Sequence, residues 1–424
     1  MGILKAGLAK VVITPPVGVQ LSGYVDRTQP SIGILDDLYA KALVLDDGKE
    51  RLALVVCDLI GLGKGVVNDA RRRIRELTHI KEKNIMITSI HTHTGPDLRF
   101  VGEAYIENLK SQLAGAVYAA CNDMREASIG VARGRCLVGS NRRNPNSPYG
   151  PYFLYSWPEG PMDPTVLVLR IEDASGRIMG ALVNYSCHPV TLGPRELRIS
   201  RDYPSYALKV LENAWGRDIV AIFMNGCCGN INPRWIWDRP ALSPPPRVFP
   251  ERLEERLSET RRLGHILGAE SLKAAESITN FTSDLKLRAS KKAVEVPIRD
   301  MIPERLLRRM KNLVGKMKTL PRNTLWEVSK GKKTITTEVQ VFSLGGTLFV
   351  GLPGEVFVEY QLGLRRKSRA PFTLVSELAN DSIFYVPTPE AYGEGGYEPT
   401  AAVVAAEAGG ILIRNVLSLI DELK

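Results

Sequence analysis

Apolar and polar positions follow two alternating rhythms along this chain. LYAKALVLDD (38–47), RLALVVCDLIGL (51–62) and NIMITSI (84–90) are short runs dense in aliphatic and β-branched residues, which predicts strands. Between the last two, VNDARRRIRELTH (67–79) has apolar residues at helical spacing. The rhythm continues with strand-like TVLVLRIED (165–173), IMGALVNYSC (178–187) and DIVAIFMNG (218–226). SRDYPSYALKVLENAW (200–215) reads as a helix between the last two, giving a β-α-β unit. A long helix is predicted over about 251–278, then a basic helix, PERLLRRMKNLVGKMK (303–318). Strands TTEVQVFSL and TLFVGLPG, helix EVFVEYQLGLRRKS, strand FTLVSEL and a terminal helix over 400–420 complete the pattern. Alternating strands and helices predict an α/β fold with a mixed β-sheet core flanked by helices. No internal repeat or linker divides the chain, so a single domain over 1–424 is expected.

Composition narrows the class. Among 424 residues, 44% are apolar and 24% charged, which suits a globular chain and excludes disordered or collagen-like ones. No apolar run approaches the roughly eighteen residues of a transmembrane helix, and the opening MGILKAGLAKVVITPP lacks the apolar core of an export signal. A cytoplasmic location is the resulting expectation. The six cysteines form no C-x-x-C pair, so free buried thiols are expected. The net charge is +10, and the segment 301–333 holds ten basic residues against two acidic ones. A solvated helix face accounts for that charge, and no nucleic-acid partner is expected, since no recognised nucleic-acid motif accompanies it. A non-catalytic protein binding nucleic acid or another anion through 301–333 is the alternative of a different class.

The candidate chemistry lies where strands end. Of five histidines, His91 and His93 in HTHTGP and His188 in CHPVTLG each follow a strand-like run, as does Glu355 in LPGE, which is also expected to open a helix. In open α/β sheets, ligands bind beyond the carboxyl ends of strands, so ligand-bearing loops are expected there. Residues two apart project to one face of an extended chain, and two imidazoles with a carboxylate suit zinc. His79, near a helix end, and His265, inside a helix, read as structural or solvated. Two other arrangements use the same residues. An amidohydrolase barrel needs two more strand-end histidines and an aspartate, a pattern that mid-helix His265 fails. Thiol catalysis would pair Cys228 or Cys227 with His188 as base.

Taken in order, VVITPPVGVQLSGYVDR, GILDDLYAKALVL, HTHTGP, SNRR, NYSCHPVTLG, SRDYPSYA, FMNGCCGNINP, LPGEVFVEYQLG and ELANDSIFYVPTPEAYGEGGYE resemble the neutral/alkaline non-lysosomal ceramidases, over almost the whole chain. These are zinc-dependent amidases cleaving N-acyl sphingoid bases. The resemblance implies His91, His188, Glu355 and Tyr385 as zinc ligands, with His93, Arg142 and Tyr397 facing the substrate carbonyl. It implies a lipid-like or small N-acyl amide substrate attacked by metal-activated water, with hydrolysis of another small amide or ester as the alternative. Trp235 and Trp237 are expected near the pocket mouth, and Ser243 is the nearest counterpart of a serine that the family places after its central motif. Three departures stand out. Asn230 in GNINP replaces a family aspartate, the family's β-sandwich-like C-terminal domain is expected to be absent, and no export signal is read.

Overall fold

The computed structural model describes residues 3–24, 27–234, 253–299 and 331–423. The basic helix expected at 303–318, Trp235, Trp237 and Ser243 lie outside the described residues.

Eight strands form one sheet: β1 (Lys5–Val12), β2 (Tyr39–Asp46), β3 (Arg51–Cys57), β4 (Ile85–Ser89), β5 (Arg125–Arg135), β6 (Thr165–Asp173), β7 (Ile178–Tyr185) and β8 (Val220–Asn225). Their order is β8-β7-β6-β5-β1-β2-β3-β4. The inner pairings are antiparallel, and only the two outermost, β3 with β4 and β7 with β8, are parallel. A parallel pair requires a crossover. Helices α1 (Lys64–Thr78) and α3 (Tyr203–Trp215) supply these two, while α2 (Glu103–Asn122) packs on α1.

The chain then runs through α4 (Leu253–Glu276), which packs on α3, into a second sheet. Its strands are β9 (Leu287–Pro297), β10 (Thr334–Leu344), β11 (Thr347–Gly351) and β12 (Phe372–Ser376), paired in that order. Only β11 and β12 are parallel, and α5 (Val358–Lys367) crosses between them. Gly345 and Gly346 turn the β10–β11 hairpin, and Gly345 has φ 61°, a conformation that favours glycine.

The two sheets face each other over one apolar core, with Leu43, Leu45, Leu52 and Leu54 opposite Phe342, Leu344 and Phe349. The outer face of the first sheet is covered by Val67, Ile74, Leu109 and Leu113 of α1 and α2. The outer face of the second is covered by Leu412, Val416 and Ile420 of α6 (Ala408–Glu422). The result is helix, sheet, sheet, helix in layers. Strands β4, β8 and β11 are buried along their whole length, which explains their largely apolar sequences.

This is the mixed-sheet α/β fold that the sequence predicts. Strands β1, β5 and β9 and helix α2 are additional to the predicted elements. Two boundaries differ. Glu355 does not open a helix: Glu355–Val356 pairs in parallel with Tyr385–Val386, and α5 begins at Val358. The terminal helix begins at Ala408 rather than near residue 400, because Ala402 turns extended after a separate short helix, Tyr397–Ala401. All six cysteines are free, and all but half-buried Cys121 are buried.

A candidate metal centre at the strand ends

The three parallel steps within the two main sheets deliver polar residues to one place. His91 follows β4, His188 follows β7, Cys228 follows β8, Glu355 follows β11 and Glu377 follows β12. The short Glu355–Val356 and Tyr385–Val386 ladder sets Glu355 beside Tyr385, since partners in register share a face. Gly354 makes that approach possible: it has φ 87°, and a Cβ there would lie 2.4 Å from the Phe384 carbonyl oxygen.

His91 and His188 are buried and held alike. His91 Nδ1 lies 2.7 Å from the Ile60 carbonyl oxygen, and His188 Nδ1 lies 2.6 Å from that of Cys228. A carbonyl can only accept, so each Nδ1 carries the proton and each Nε2 is left as a lone pair. Both lone pairs point at one carboxylate oxygen: Glu355 Oε2 is 3.3 Å from His91 Nε2 and 3.4 Å from His188 Nε2. Yet His188 Nε2 and Glu355 Oε2 are buried and make no hydrogen bond among the described residues. Buried polar atoms without partners are rare, and acceptors converging on one point are the arrangement that a cation satisfies. His91 also has φ 72°, a strained value for a non-glycine residue.

His93 joins the same cluster. Its Nε2 is 3.2 Å from His91 Nε2, and the ligand atoms of His91, His93 and His188 lie within 4.8 Å of one another. With the His91 proton on Nδ1, His93 must be the donor. Its ring packs edge-on against Tyr24 at 5.2 Å, in space left by Gly23, where a Cβ would come within 2.5 Å of the imidazole.

The titrations separate the three rings. Burial, then the neighbouring His91 and His188, hold His93 well below the usual histidine range. Burial and the Arg142 charge lower His188 to about 3. Burial would also lower His91, but the Glu355 carboxylate outweighs it and the net shift is upward. Glu355 is held well below the carboxylate range because His91 and His188 outweigh its burial.

Arg142, buried, lies across the floor of the site. Its guanidinium donates to Glu398 Oε1 at 2.7 Å, Gly229 O at 2.8 Å, Asn232 Oδ1 at 3.0 Å and the Tyr385 hydroxyl at 3.1 Å. The Tyr385 and Tyr397 rings meet edge to face at 5.7 Å. Burial and Glu355 push Tyr397 up to about 12 and Tyr385 well above the usual phenol range, so both phenols are protonated near neutrality. All seven residues singled out in the sequence therefore belong to one connected cluster. His79 and His265 are exposed and remote from it in role, His79 being the left-handed C-cap of α1. Two carboxylates escaped the sequence reading. Glu398, adjacent to Tyr397, accepts from both Arg142 and Arg143. Glu377 has the same strand-end placement that drew attention to Glu355, and that signal would have found it. Thiol catalysis is disfavoured: His188 meets the Cys228 carbonyl rather than its sulfur, and burial with Glu377 pushes that thiol well above its usual range.

The model of the family described as neutral/alkaline non-lysosomal ceramidase, N-terminal, matches residues 4–237, more than half of the 424-residue chain. This chain belongs to that family. The ceramidase match contains His91, His93, Arg142 and His188, whereas Glu355, Tyr385 and Tyr397 lie beyond its end. The neutral ceramidase of Drosophila melanogaster is 24% identical over 275 residues, covering 56% of this chain and 37% of that protein. The neutral ceramidase of Pseudomonas aeruginosa is 26% identical over 259 residues, covering 54% and 37%. The chain thus spans well under half the length of these curated relatives. A crystal structure of the Pseudomonas aeruginosa neutral ceramidase superposes with a TM-score of 0.78 at 20% identity, covering 100% of this chain and 75% of that one. A structure of a ceramidase complexed with C2 gives 0.77 at 19%, with the same coverage. At such identities the likeness establishes a ceramidase fold. No described helix is long and apolar enough to cross a membrane.

Proposed function

We propose that this chain is a zinc-dependent hydrolase of N-acyl amides, and that ceramide-like lipids or smaller N-acyl amines are its substrates. The observation carrying this reading is the convergence of two imidazole Nε2 atoms, that of His188 without a hydrogen-bond partner, on an unpartnered carboxylate oxygen. Family membership and the solved ceramidase complexed with C2 support the amide-bearing lipid as substrate class.

His91, His188, Glu355 and Tyr385 would hold the ion: two imidazoles and a carboxylate are a donor set that suits zinc, with the phenol as a fourth, weaker oxygen. A bound zinc ion supplies Lewis acidity toward the amide carbonyl and lowers the pKa of water toward about 7. The rest of the chemistry falls to the chain. His93 is neutral near pH 7, so it can accept a proton on one nitrogen and pass it to the departing amine. Tyr397 keeps its proton and can donate a hydrogen bond to the carbonyl oxygen as negative charge develops there. Arg142 has its N–H groups engaged by Glu398, Gly229, Asn232 and Tyr385, so its part is to fix the Tyr385 hydroxyl and, through Glu398, the turn that carries Tyr397.

The test is metal removal. Exhaustive chelation should abolish hydrolysis of a short-chain N-acyl amine, and one equivalent of zinc should restore it. Full activity after chelation would refute the reading.

A further inference from the structure

We infer that Glu377 is the positioning residue of this site: it clamps the loop that orients His188 to the loop that carries Glu355 and so sets the spacing of the metal ligands. The inference rests on the metal-dependent reading above.

Glu377 follows β12 directly and is fully buried, with 0% of its surface exposed. Its Oε2 accepts the backbone N–H of Cys228 at 2.9 Å and that of Val356 at 3.2 Å. Its Oε1 accepts the Cys228 thiol at 2.9 Å. Cys228 is the residue whose carbonyl holds His188 Nδ1, and Val356 is the residue after Glu355. The backbone of Glu377 is anchored in turn. Its N–H donates to the Asn225 carbonyl at the end of β8, and its carbonyl accepts the Thr88 hydroxyl of β4, the strand leading to His91. One residue therefore directly follows β12, touches the ends of β4 and β8, and holds the Glu355–Val356 strand.

The chemistry explains the residue type. Three donors, the Cys228 N–H and S–H and the Val356 N–H, point inward from two loops, and a side chain ending in two polar atoms, at least one of them an acceptor oxygen, satisfies all of them in a dry site. An apolar side chain would strand two buried N–H groups and let the loops drift. Groups that orient metal ligands from behind typically govern affinity by about 10- to 100-fold. Glutamine can reproduce the pattern: its oxygen takes the place of Oε2, and its amide donates to the Cys228 sulfur, which then accepts. Glu377 therefore acts through geometry rather than charge.

The experiment measures zinc affinity of the metal-free full chain by competition with a chromophoric chelator, together with the thermal midpoint of each metal-free protein. Glu377→Gln should bind zinc within about threefold of the wild type, whereas Glu377→Leu should bind about 10- to 100-fold more weakly. Glu377→Asp, which keeps the charge but shortens the reach, should fold and bind more weakly than Glu377→Gln; it decides the matter if the leucine variant does not fold. Wild-type affinity in Glu377→Asp or Glu377→Leu would overturn the inference, as would a Glu377→Gln defect as deep as that of Glu377→Leu. A fall in thermal midpoint with zinc affinity unchanged would also overturn it. If the wild type itself binds no zinc, the metal-dependent reading falls first; normal wild-type binding with indifferent variants sinks this inference alone.

Discussion

At the scale of single residues, the ligand set and the substrate-facing set should separate by what each loses. His91→Ala removes one of the two lone pairs aimed at Glu355, so purified protein should hold far less zinc by elemental analysis. Tyr397→Phe keeps the ring packed on Tyr385 and deletes only the hydroxyl, so zinc content should be unchanged while kcat falls about 100- to 1,000-fold. Asn230 carries a different lesson. The family resemblance implies only that asparagine stands there in place of an aspartate, whereas the structure sets another carboxylate, Glu359, against Asn230. Asn230 Nδ2 sits 2.9 and 3.1 Å from the two oxygens of Glu359, and its Oδ1 accepts the Val358 N–H at 2.9 Å. The partner lies 129 positions away, beyond the reach of any local pattern. Asn230→Asp would set two buried carboxylates face to face, where one must stay protonated. Their raised folded-state pKa means that the native state binds the extra proton, so stability is lost as pH rises above about 4. The variant should unfold at lower urea than the wild type at pH 7.5, by about 2–3 kcal/mol, with the gap closing toward pH 4.

At the scale of elements, the parallel strands were legible because burial on both faces makes their sequences largely apolar, and His91, His93, His188 and Glu355 were legible because they sit just past such strands, whereas Arg142, Tyr385 and Tyr397 came only through the family resemblance. What escaped had mixed faces. β9 reads LRASKKAVEVP and is an edge strand with an exposed Lys292 and a half-buried Lys291, and β5 and β1 alternate irregularly between buried and exposed. The segment 138–155 is rich in Gly, Pro and Asn, and nothing local in it reveals what fastens it. Gly139–Asn141 pairs with Ile231–Pro233, and the adjacent arginines close on Glu398. Glu398 is fully buried and takes Arg142 at 2.7 Å and Arg143 at 3.0 Å, tying this loop to the turn that presents Tyr397. Removing one partner of a buried ionic network strands the others, typically at about 3–5 kcal/mol. Glu398→Ala should lower the urea midpoint by that amount and reduce turnover as well, since Arg142 loses the contact that fixes it. An activity loss without a stability loss would show that Glu398 serves the chemistry and not the clamp.

At the scale of the whole molecule, two sheets must stay in register, because His91 and His188 come from the first and Glu355 from the second. Hydrophobic packing between them is non-directional and resists sliding only weakly. A polar pin at the rim adds direction. Asp47, in the turn between β2 and β3, accepts the N–H groups of Lys49 and Glu50 on one oxygen and that of Leu287, the first residue of β9, on the other, each at 2.8 Å. Burial alone would raise its pKa, but the N–H groups of Glu50, Leu287 and Lys49 outweigh it and hold the carboxyl below its usual value. A depressed folded-state pKa contributes stability that is complete above the unfolded value near 4 and is lost as pH falls through the folded value. Asp47→Asn keeps the size but turns one acceptor into a donor facing an N–H. At pH 7 it should therefore reduce stability by about 1–3 kcal/mol in urea unfolding. As pH falls below about 4 and on through the depressed folded value, the wild type loses that advantage, so the two curves should approach each other. A difference that stays constant from pH 7 to pH 3 would show that the carboxylate's charge is not what pins the second sheet to the first.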